Sequence, residues 1–327
     1  MCERGVLKIR IWQTRRWRCG FILVLAGIFL PFAYSRIASP WRSVAVHSIP
    51  DRTEADPLTD ELRVACYNIA HGRGLAESNW DGGDAVVRRT RLDNISDLLR
   101  EIDADIVVLN EVDFDASWSN STNQAQYLAE KAGYSYWVEQ RNVDFRILFR
   151  TWRFGNAVLL KYPVKAAQLV ELPGYSAWET VMAGKKQGIV CDMAIGDRVV
   201  RVLGTHLSHR SESVRVKSAR VITEIAAASD VPIIVAGDLN SAPPGFPESD
   251  SDRSGNNAIQ ILDRSVDFQR TPMDVPVTSQ ALTYHSVEAT QVIDWILIPR
   301  DWRYIEYVVD PSQLSDHRPV YTDVALQ

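Results

Sequence analysis

The chain contains the run Val231-Pro232-Ile233-Ile234-Val235-Ala236-Gly237-Asp238-Leu239-Asn240, an apolar segment that ends in a carboxylate and an amide two residues apart. The apolar part predicts a buried strand. Residues i and i+2 of an extended chain point to the same face, so Asp238 and Asn240 project together from its end. A carboxylate can accept a proton or hold a cation, and an amide can donate to an anionic oxygen. The pair therefore indicates phosphoester chemistry, with an ordinary Asx turn as the alternative.

Strand-like and helical runs alternate on both sides of this segment. Strands are predicted at 63–69, 105–110, 134–139, 155–161, 188–195, 199–205, 231–236, 281–286, 292–298, 303–309 and 319–324, and helices near 92–102 and 213–228. The order strand, helix, strand favours parallel pairing. The last runs follow one another without helices, which favours antiparallel pairing. The pattern predicts an α/β (α+β) fold with mixed sheets.

The first 35 residues have the pattern of a membrane-targeting segment. Six Lys and Arg residues precede position 19, and the 17 residues from Cys19 to Ser35 carry no charge. We predict a basic cytoplasmic flank at 1–18 and a transmembrane anchor at 19–35, which places the rest of the chain outside the cytoplasm. A secretory signal cut after Ala33-Tyr34-Ser35, with export of the mature protein, is the alternative. A buried helix is a third reading, which the basic flank disfavours.

Residues 36–60 contain Pro40, Pro50 and Pro57 and predict a linker, so the folded domain is expected at 61–327. This domain carries 27 Lys and Arg against 36 Asp and Glu, a net charge of −9. Such a charge repels a polyanion at long range and disfavours nucleic acid as a partner, without excluding it. Cys66 and Cys191 lie in strand-like runs as small hydrophobic residues, and a disulfide between them is open.

Polar residues recur at the ends of the predicted strands, where open α/β sheets present their ligand sites. These residues are Asn68, Asn110, Glu111, His206, Asp238, Asn240, Asp294, Asp316 and His317. Asp294 lies within the apolar run 292–298, where an unpaired carboxylate would cost several kcal/mol. His317 is its expected partner, because an Asp–His pair satisfies the carboxylate and orients the imidazole.

The ordered motifs resemble those of the endonuclease/exonuclease/phosphatase superfamily, which includes deoxyribonuclease-I-like enzymes. They are Asn68, Leu109-Asn110-Glu111-Val112-Asp113, Gly155-Asn156-Ala157-Val158-Leu159-Leu160, Thr205-His206-Leu207, Gly237-Asp238-Leu239-Asn240, Ile293-Asp294 and Ser315-Asp316-His317-Arg318-Pro319-Val320. The resemblance covers residues 61–327. It implies a four-layer α/β/β/α sandwich of two mixed β-sheets, with the active site at one edge.

The resemblance also implies roles for these residues. Glu111 would bind a divalent cation, with Asn68 and Asp316 nearby as further ligands or orienting groups, and such oxygen donors suit Mg²⁺ or Mn²⁺. Asp238 would orient and deprotonate a water, while Asn240 and His206 contact the phosphate. His317, held by Asp294, would act as acid, base or cationic ligand. Asn156 and Lys186 are assigned to the substrate side. Lys185-Lys186-Gln187-Gly188 replaces the Arg-Gly of many relatives, and Lys lacks the bidentate fork of Arg.

Three functions are compatible with these features. We expect a metal-dependent phosphodiester hydrolase acting on a small molecule, lipid headgroup or nucleotide, and we expect it to be monomeric. A true nuclease is the first alternative, and a non-catalytic scaffold with the same fold is the second.

The segment 145–154 combines aromatic and basic residues. Phe145, Phe149 and Trp152 recur at i, i+4 and i+7, which on a helix would make one aromatic face beside a basic one. Two interpretations stay open: a lip that touches lipid headgroups or nucleobases, and the commoner core-facing stripe with a solvated basic side.

Overall fold

The computed structural model describes residues 3–38, 44–50, 52, 60–147, 149–182, 184 and 186–326. Its helices are α1 (Glu3–Ala38), α2 (Ala85–Ile102), α3 (Gln124–Ala132), α4 (Ala177–Met182), α5 (Glu212–Ala227) and α6 (Ala258–Arg264). Its strands are β1 (Val44–Ser48), β2 (Glu61–Asn68), β3 (Ile106–Asp113), β4 (Tyr136–Ile147), β5 (Arg150–Leu160), β6 (Val164–Glu171), β7 (Gln187–Ile195), β8 (Arg198–Thr205), β9 (Ile233–Asp238), β10 (Phe268–Gln269), β11 (Asp294–Pro299), β12 (Arg303–Val309) and β13 (Val320–Ala325).

The strands form two mixed sheets. The first has the order β1-β4-β5-β3-β2-β13-β12 and the second the order β10-β11-β9-β8-β7-β6. Each sheet has one parallel pair among its described strands, β2 with β3 and β8 with β9. The strand–helix–strand units around α2 and α5 produce these two pairs, because a helix can return the chain to the start of the next strand.

Three apolar cores separate four layers. The core between the sheets contains Val64, Val108, Ile189 and Ile234 among others. A second core packs α5 and α6 on the second sheet, and a third packs α2 and α3 on the first. The central strands are buried on both faces, which explains why their sequences are continuous apolar runs. The predicted α/β/β/α sandwich is confirmed.

The N-terminal helix α1 is long and apolar enough to cross a membrane. Its window Trp17–Tyr34 has a mean hydropathy of 1.7, and none of that window is buried. A signal sequence has the same properties, so the choice between an anchor and a cleaved signal stays a prediction. The helix continues to Ala38, three residues beyond the predicted span.

The predicted linker 36–60 is corrected in part, because it contains a strand. Residues 44–48 form β1, which pairs antiparallel with β4 at the edge of the first sheet. The Arg52 guanidinium then donates hydrogen bonds to the carbonyl oxygens of Ala129 and Tyr134. Both contacts attach this part of the chain to the folded domain.

The aromatic and basic segment 145–154 is a β-hairpin and not a helix. Its residues belong to the end of β4 and the start of β5, and Phe145 pairs with Trp152 in the strand register. Their rings stack at 5.0 Å between centroids. The helical interpretation was wrong because two rings seven residues apart meet across a hairpin as well as along two helical turns.

One further expectation differs from the structure. Residues 281–286, predicted as a strand, form a short 3₁₀ turn at Ser279–Ala281 and then a loop with isolated bridges from Tyr284 to Gln291 and His317. Cys66 and Cys191 are buried free thiols and do not form a disulfide. Both thiols lie in the core between the sheets, as expected for small hydrophobic residues.

Gly237 sets how closely β8 and β9 approach at their carboxyl ends. Its φ is +133°, a region that side chains rarely adopt, and a Cβ there would overlap the carbonyl oxygen of Thr205 and lie 2.9 Å from Asn110 Oδ1. Only glycine fits between these two neighbours. It therefore positions Asp238, the next residue.

We expect Gly237→Ala to destabilise the fold by about 3 kcal/mol or more, since it combines backbone strain with a backbone overlap. Gly133→Ala is the matched control: Gly133 also has a positive φ of +99°, but no atom lies within 4 Å of the added Cβ. It should cost about 1 kcal/mol. Chemical unfolding of the full chain in detergent measures both, and equal losses would show that the close approach is unimportant.

Candidate active site

The polar residues predicted from sequence gather at one edge of the sandwich. Asn68 and Asp238 end β2 and β9, Glu111 lies near the end of β3, and His206 follows β8 directly. Asp294 begins β11 and His317 precedes β13, because these two strands run antiparallel to their neighbours. The carboxyl ends of the parallel strands therefore meet the amino ends of the antiparallel ones at a single site.

Asp238 lies at the centre of this site and is 2% exposed. Its Oδ1 accepts a hydrogen bond from the Asn240 backbone N–H at 2.9 Å, and its Oδ2 accepts one from Asn68 Nδ2 at 3.0 Å. The same Oδ2 lies 3.3 Å from His206 Nε2 and 3.7 Å from His317 Nε2. Burial, opposed by His317 and aided by Asp294, raises the pKa of Asp238 to about 7.

Asp294 and His317 form the pair expected from sequence. His317 Nδ1 lies 2.9 Å from Asp294 Oδ2 and 3.1 Å from Oδ1, and both residues are buried. Burial alone would lower the pKa of His317, but the carboxylates of Asp294 and Asp238 outweigh it and raise that pKa to about 10. A protonated imidazole at this position keeps one nitrogen on Asp294 and directs the other towards Asp238.

The pKa of His206 is shifted in the opposite direction to that of His317. Burial, reinforced by the charge of Lys186, holds the pKa of His206 well below its usual range. Lys186 Nζ lies 3.0 Å from His206 Nδ1 and 3.1 Å from its Nε2. A neutral ring can accept this hydrogen bond at Nδ1 and donate from Nε2 to Asp238. The structure thus brings Lys186 to the site beside His206.

Asn156, assigned to the substrate side, lies beneath the site and is fully buried. Its Oδ1 accepts from Asn110 Nδ2 at 2.9 Å, and its Nδ2 donates to Gln140 Oε1 and to the Gln187 carbonyl oxygen. Asn110 in turn accepts the Asp238 backbone N–H at 2.8 Å. Asn156 is therefore a support for the Asp238 strand end and does not face the cleft.

Glu111 and Asp316 are two of the three predicted metal ligands. Both form ion pairs with the same side chain, Arg73, which was not among the predicted site residues. Arg73 lies 3.3 Å from Glu111 Oε2 through Nη1 and 3.0 Å from Asp316 Oδ2 through Nη2. Burial would raise the pKa of Glu111, but the neighbouring basic groups, His71 foremost, hold it well below its usual range. Glu111 has φ +53° at a bulge of β3, a conformation typical of functional sites.

These side chains fit a hard divalent cation. Two charged carboxylates converge on one positive group, and Asn68, the third candidate, offers an amide oxygen that accepts the Ala70 N–H at 3.0 Å. A second acidic and histidine cluster, of Asp238, Asp294 and His317, also has its ligand atoms within 4.8 Å of one another. Hydrogen bonds between an imidazole and carboxylates account for that proximity without a metal.

A second buried Asp–His pair supports Glu111. His71 Nδ1 lies 2.7 Å from Asp113 Oδ1, and its Nε2 lies 3.4 Å from Glu111 Oε2. Trp118 Nε1 donates to the other oxygen of Asp113 at 2.7 Å. Burial lowers the pKa of His71, but Asp113 outweighs it and raises the pKa overall. The signal in the sequence was Asp113 itself, a carboxylate at the end of an apolar strand that requires a partner.

A cavity of about 150 Å³ opens beside Lys186. Its lining includes Phe154, Tyr175, Lys186, Ser208 and His209. Asn240, at φ +50°, is half-buried at the edge of the site, where its Nδ2 lies 3.3 Å from the Leu207 carbonyl oxygen. The arrangement offers a carboxylate with a raised pKa at Asp238, a neutral imidazole at His206 and a protonated one at His317. The cavity next to them provides space for a ligand.

Comparison with known proteins identifies the family. A sequence model of the Endonuclease/Exonuclease/phosphatase family matches residues 65–317. No curated protein sequence matches the chain significantly.

Solved structures with the same fold include three from different sources. An endonuclease/exonuclease/phosphatase from Beutenbergia cavernae is 20% identical with a TM-score of 0.57, covering 82% of this chain and 72% of its own. The human Nocturnin catalytic domain with bound sulfate is 15% identical with a TM-score of 0.57, and the match covers 85% of this chain and 97% of that domain. A mannosyl-6-phosphatase from Bacteroides thetaiotaomicron is 15% identical with a TM-score of 0.56, and the match covers 81% of this chain and 100% of that protein.

We expect Asp294→Asn to lower the pKa of His317, because it removes the charge that most opposes the effect of burial. In the unaltered protein, the raised pKa stabilises the fold fully below pH 6.5, and this contribution is lost as the pH rises through about 10. The destabilisation by Asp294→Asn should therefore be largest below pH 6.5, at about 3 kcal/mol. Histidine NMR titration of EDTA-treated protein measures the pKa.

The control is Asp192→Asn, which removes a carboxylate paired with Arg201 at 2.7 Å on the second sheet. It should leave the His317 titration unchanged. An unaltered His317 pKa in Asp294→Asn would contradict the assignment of Asp294 as the residue whose charge raises that pKa.

Proposed function

Because the chain belongs to the endonuclease/exonuclease/phosphatase family, we propose that it is a divalent-metal-dependent hydrolase of phosphodiester bonds. The observation that carries the proposal is the position of one Asp238 oxygen between two histidines whose pKa values are shifted in opposite directions. The surroundings lower the pKa of His206 and raise that of His317 to about 10. Groups whose pKa values are driven apart in one cleft are typical of acid and base assignments.

Asp238 is proposed as the general base. A base is most effective when its pKa is close to the working pH, and the pKa of Asp238 is raised to about 7. The Asn240 N–H and the Asn68 amide hold its two oxygens in place, so the carboxylate can orient a water for in-line attack on phosphorus. The water gives its proton to Asp238 as its oxygen bonds to phosphorus, and the bond between phosphorus and the leaving oxygen breaks on the opposite side. The leaving oxygen then takes a proton from an acid such as His317 or from solvent.

The two histidines and Lys186 are proposed to bind the phosphate. His317 carries a positive charge near neutral pH, which favours a role as cationic ligand or acid over a role as base. Lys186 supplies a second positive charge beside the cavity, and Asn240 supplies an amide donor. Neutral His206 has a single N–H, which would turn from Asp238 to a phosphoryl oxygen when the phosphate binds. Together these groups would offset the charge that develops on the phosphoryl oxygens.

The proposed metal ligands are Glu111, Asp316 and Asn68. A bound Mg²⁺ or Mn²⁺ would neutralise charge on the phosphate and assist the leaving oxygen. Since Arg73 lies between the two carboxylates, it has to move aside when a cation binds. The freed guanidinium is then available to a phosphate, for which its planar fork is well suited.

The proposed substrate is a small phosphodiester or a headgroup. The cavity beside Lys186 has room for a compact leaving group, and the acidic domain disfavours a long polyanion. We further propose that α1 anchors the domain outside the cytoplasm.

We expect Asp238→Asn to lower kcat about 100-fold or more on bis-p-nitrophenyl phosphate, since an amide cannot take the proton of the attacking water. The full chain in detergent is assayed with Mg²⁺ and with Mn²⁺, and EDTA should abolish activity reversibly. Plasmid nicking, measured in parallel, tests the nuclease alternative.

Asp250→Asn is the matched control, because Asp250 lies in an exposed loop with a side chain that is 67% exposed. It should retain full activity, and circular dichroism should show that both variants fold. An Asp238→Asn protein with more than half of the normal rate, or activity that survives EDTA, would refute the proposed mechanism.

We expect Arg73→Ala to bind Mn²⁺ about fivefold to tenfold more tightly, because a guanidinium that competes for Glu111 and Asp316 is removed. Isothermal titration measures the affinity without any substrate. Arg89→Ala is the control, since the Arg89 guanidinium stacks on the Tyr127 ring of α3 at 4.4 Å. Weaker binding by Arg73→Ala would show that Arg73 organises the ligands instead.

A further inference from the structure

The turn of the β4–β5 hairpin carries exposed aromatic side chains around an arginine. Phe149 is 76% exposed and Trp80, from the loop before α2, is 52% exposed. The Arg150 guanidinium lies 5.0 Å from the Trp80 ring centroid and 5.6 Å from that of Phe149. We call Trp80, Phe149 and Arg150 the tip patch. Large exposed aromatics next to a basic group are typical of surfaces that enter a lipid headgroup region.

The tip patch is continuous with the apolar helix α1. Phe32, within the window that could cross a membrane, packs edge-on against Phe145 of the hairpin at 5.4 Å. Phe145 stacks on Trp152 at 5.0 Å, and Trp152 contacts Trp118 at 6.5 Å. Trp118 then contacts Trp80 of the tip patch at 5.9 Å. A helix in the bilayer would therefore hold the tip patch close to the same bilayer.

The same aromatic contacts lead to the candidate active site. The Trp118 ring lies 6.1 Å from the His71 ring, and His71 Nε2 lies 3.4 Å from Glu111. Trp118 also donates to Asp113, which holds His71. A surface that engages the tip patch is therefore adjacent to the proposed metal ligands and to the side of the cleft on which Phe154 lines the cavity.

The hairpin is braced to present its turn. The Thr151 N–H donates to Ser117 Oγ at 2.7 Å, and Arg153 pairs with Asp144 at 2.9 Å and Asp115 at 3.2 Å. These contacts hold the stem of the hairpin, while Phe149 is left exposed beyond them. A braced stem with an exposed aromatic turn loses little conformational entropy when the turn enters another phase.

We propose that the tip patch inserts into the headgroup region of the bilayer that holds α1 and keeps the active site at the membrane surface. The substrate class is then a phosphodiester in the headgroup of a phospholipid. Phe149 supplies apolar area at the interface, and Arg150 pairs with lipid phosphates. The assignment of a lipid substrate rests on the proposed hydrolase function, whereas the docking of the tip patch does not.

The docking is tested by photo-crosslinking of the full chain in phosphatidylcholine–phosphatidylglycerol nanodiscs. The photoreactive amino acid p-benzoylphenylalanine is placed at Phe149 and, in a second protein, at Val266, which is 79% exposed on the second sheet's side of the molecule. We expect about tenfold more lipid adduct at position 149, measured by mass spectrometry. Equal adducts at the two positions, or crosslinks from 149 only to protein, would overturn the proposal.

The substrate class is tested with Phe149→Ser/Arg150→Gln and the control Val266→Ser/Arg300→Gln, both in nanodiscs. We expect the first variant to raise the KM for a phospholipid phosphodiester about fivefold or more while kcat/KM for bis-p-nitrophenyl phosphate stays unchanged. The control should alter neither. Equal KM values for both variants and the unaltered protein would overturn the role of the tip patch in binding the lipid substrate. Hydrolysis of bis-p-nitrophenyl phosphate without hydrolysis of the phospholipid would overturn the lipid assignment. Failure of the unaltered protein to hydrolyse either substrate would refute the hydrolase proposal and the lipid substrate together, while the adduct ratio still decides the docking.

Discussion

The site depends on the requirement that the buried carboxylate of Asp238 be fully hydrogen-bonded. At 2% exposure, an unpaired charge there would cost several kcal/mol. Its oxygens accept from Asn68 and from the Asn240 backbone, while its own N–H is bound by Asn110. These partners come from β2, the turn after β9 and β3, so satisfying one carboxylate ties both sheets together at this edge.

The remaining acids at the edge are each matched by a basic partner. Asp294 holds His317, Asp113 holds His71, and Arg73 joins Glu111 to Asp316. The two Asp–His pairs lie deep and are fixed by several contacts, whereas the Arg73 bridge is partly exposed at 15%. A cation or phosphate that enters the cleft meets the ion pairs of Arg73 before the two Asp–His pairs, because the Arg73 pairs are the partly exposed ones.

Sequence reasoning succeeded where a residue is constrained by its own strand. An acid inside an apolar run has to be paired, which identified Asp294 and His317, and the apolar runs located nearly all the central strands. It failed where the partner comes from elsewhere. Phe145 and Trp152 resemble a helical stripe until a hairpin brings them together, Asn156 lies under the site, and Arg73 reaches two acids through a loop.

The sequence by itself determined the sandwich class, the family resemblance and the polar residues at the strand ends, because these follow from local periodicity and from the energetic cost of burying charge. Only the tertiary structure decided which of these groups pair with one another and which aromatics join α1 to the cleft. Both depend on distances between elements far apart in the chain. The opposite pKa shifts of His206 and His317 arise from such distances. Burial lowers the pKa of both imidazoles; Lys186 adds to this effect at His206, whereas Asp294 and Asp238 outweigh it at His317.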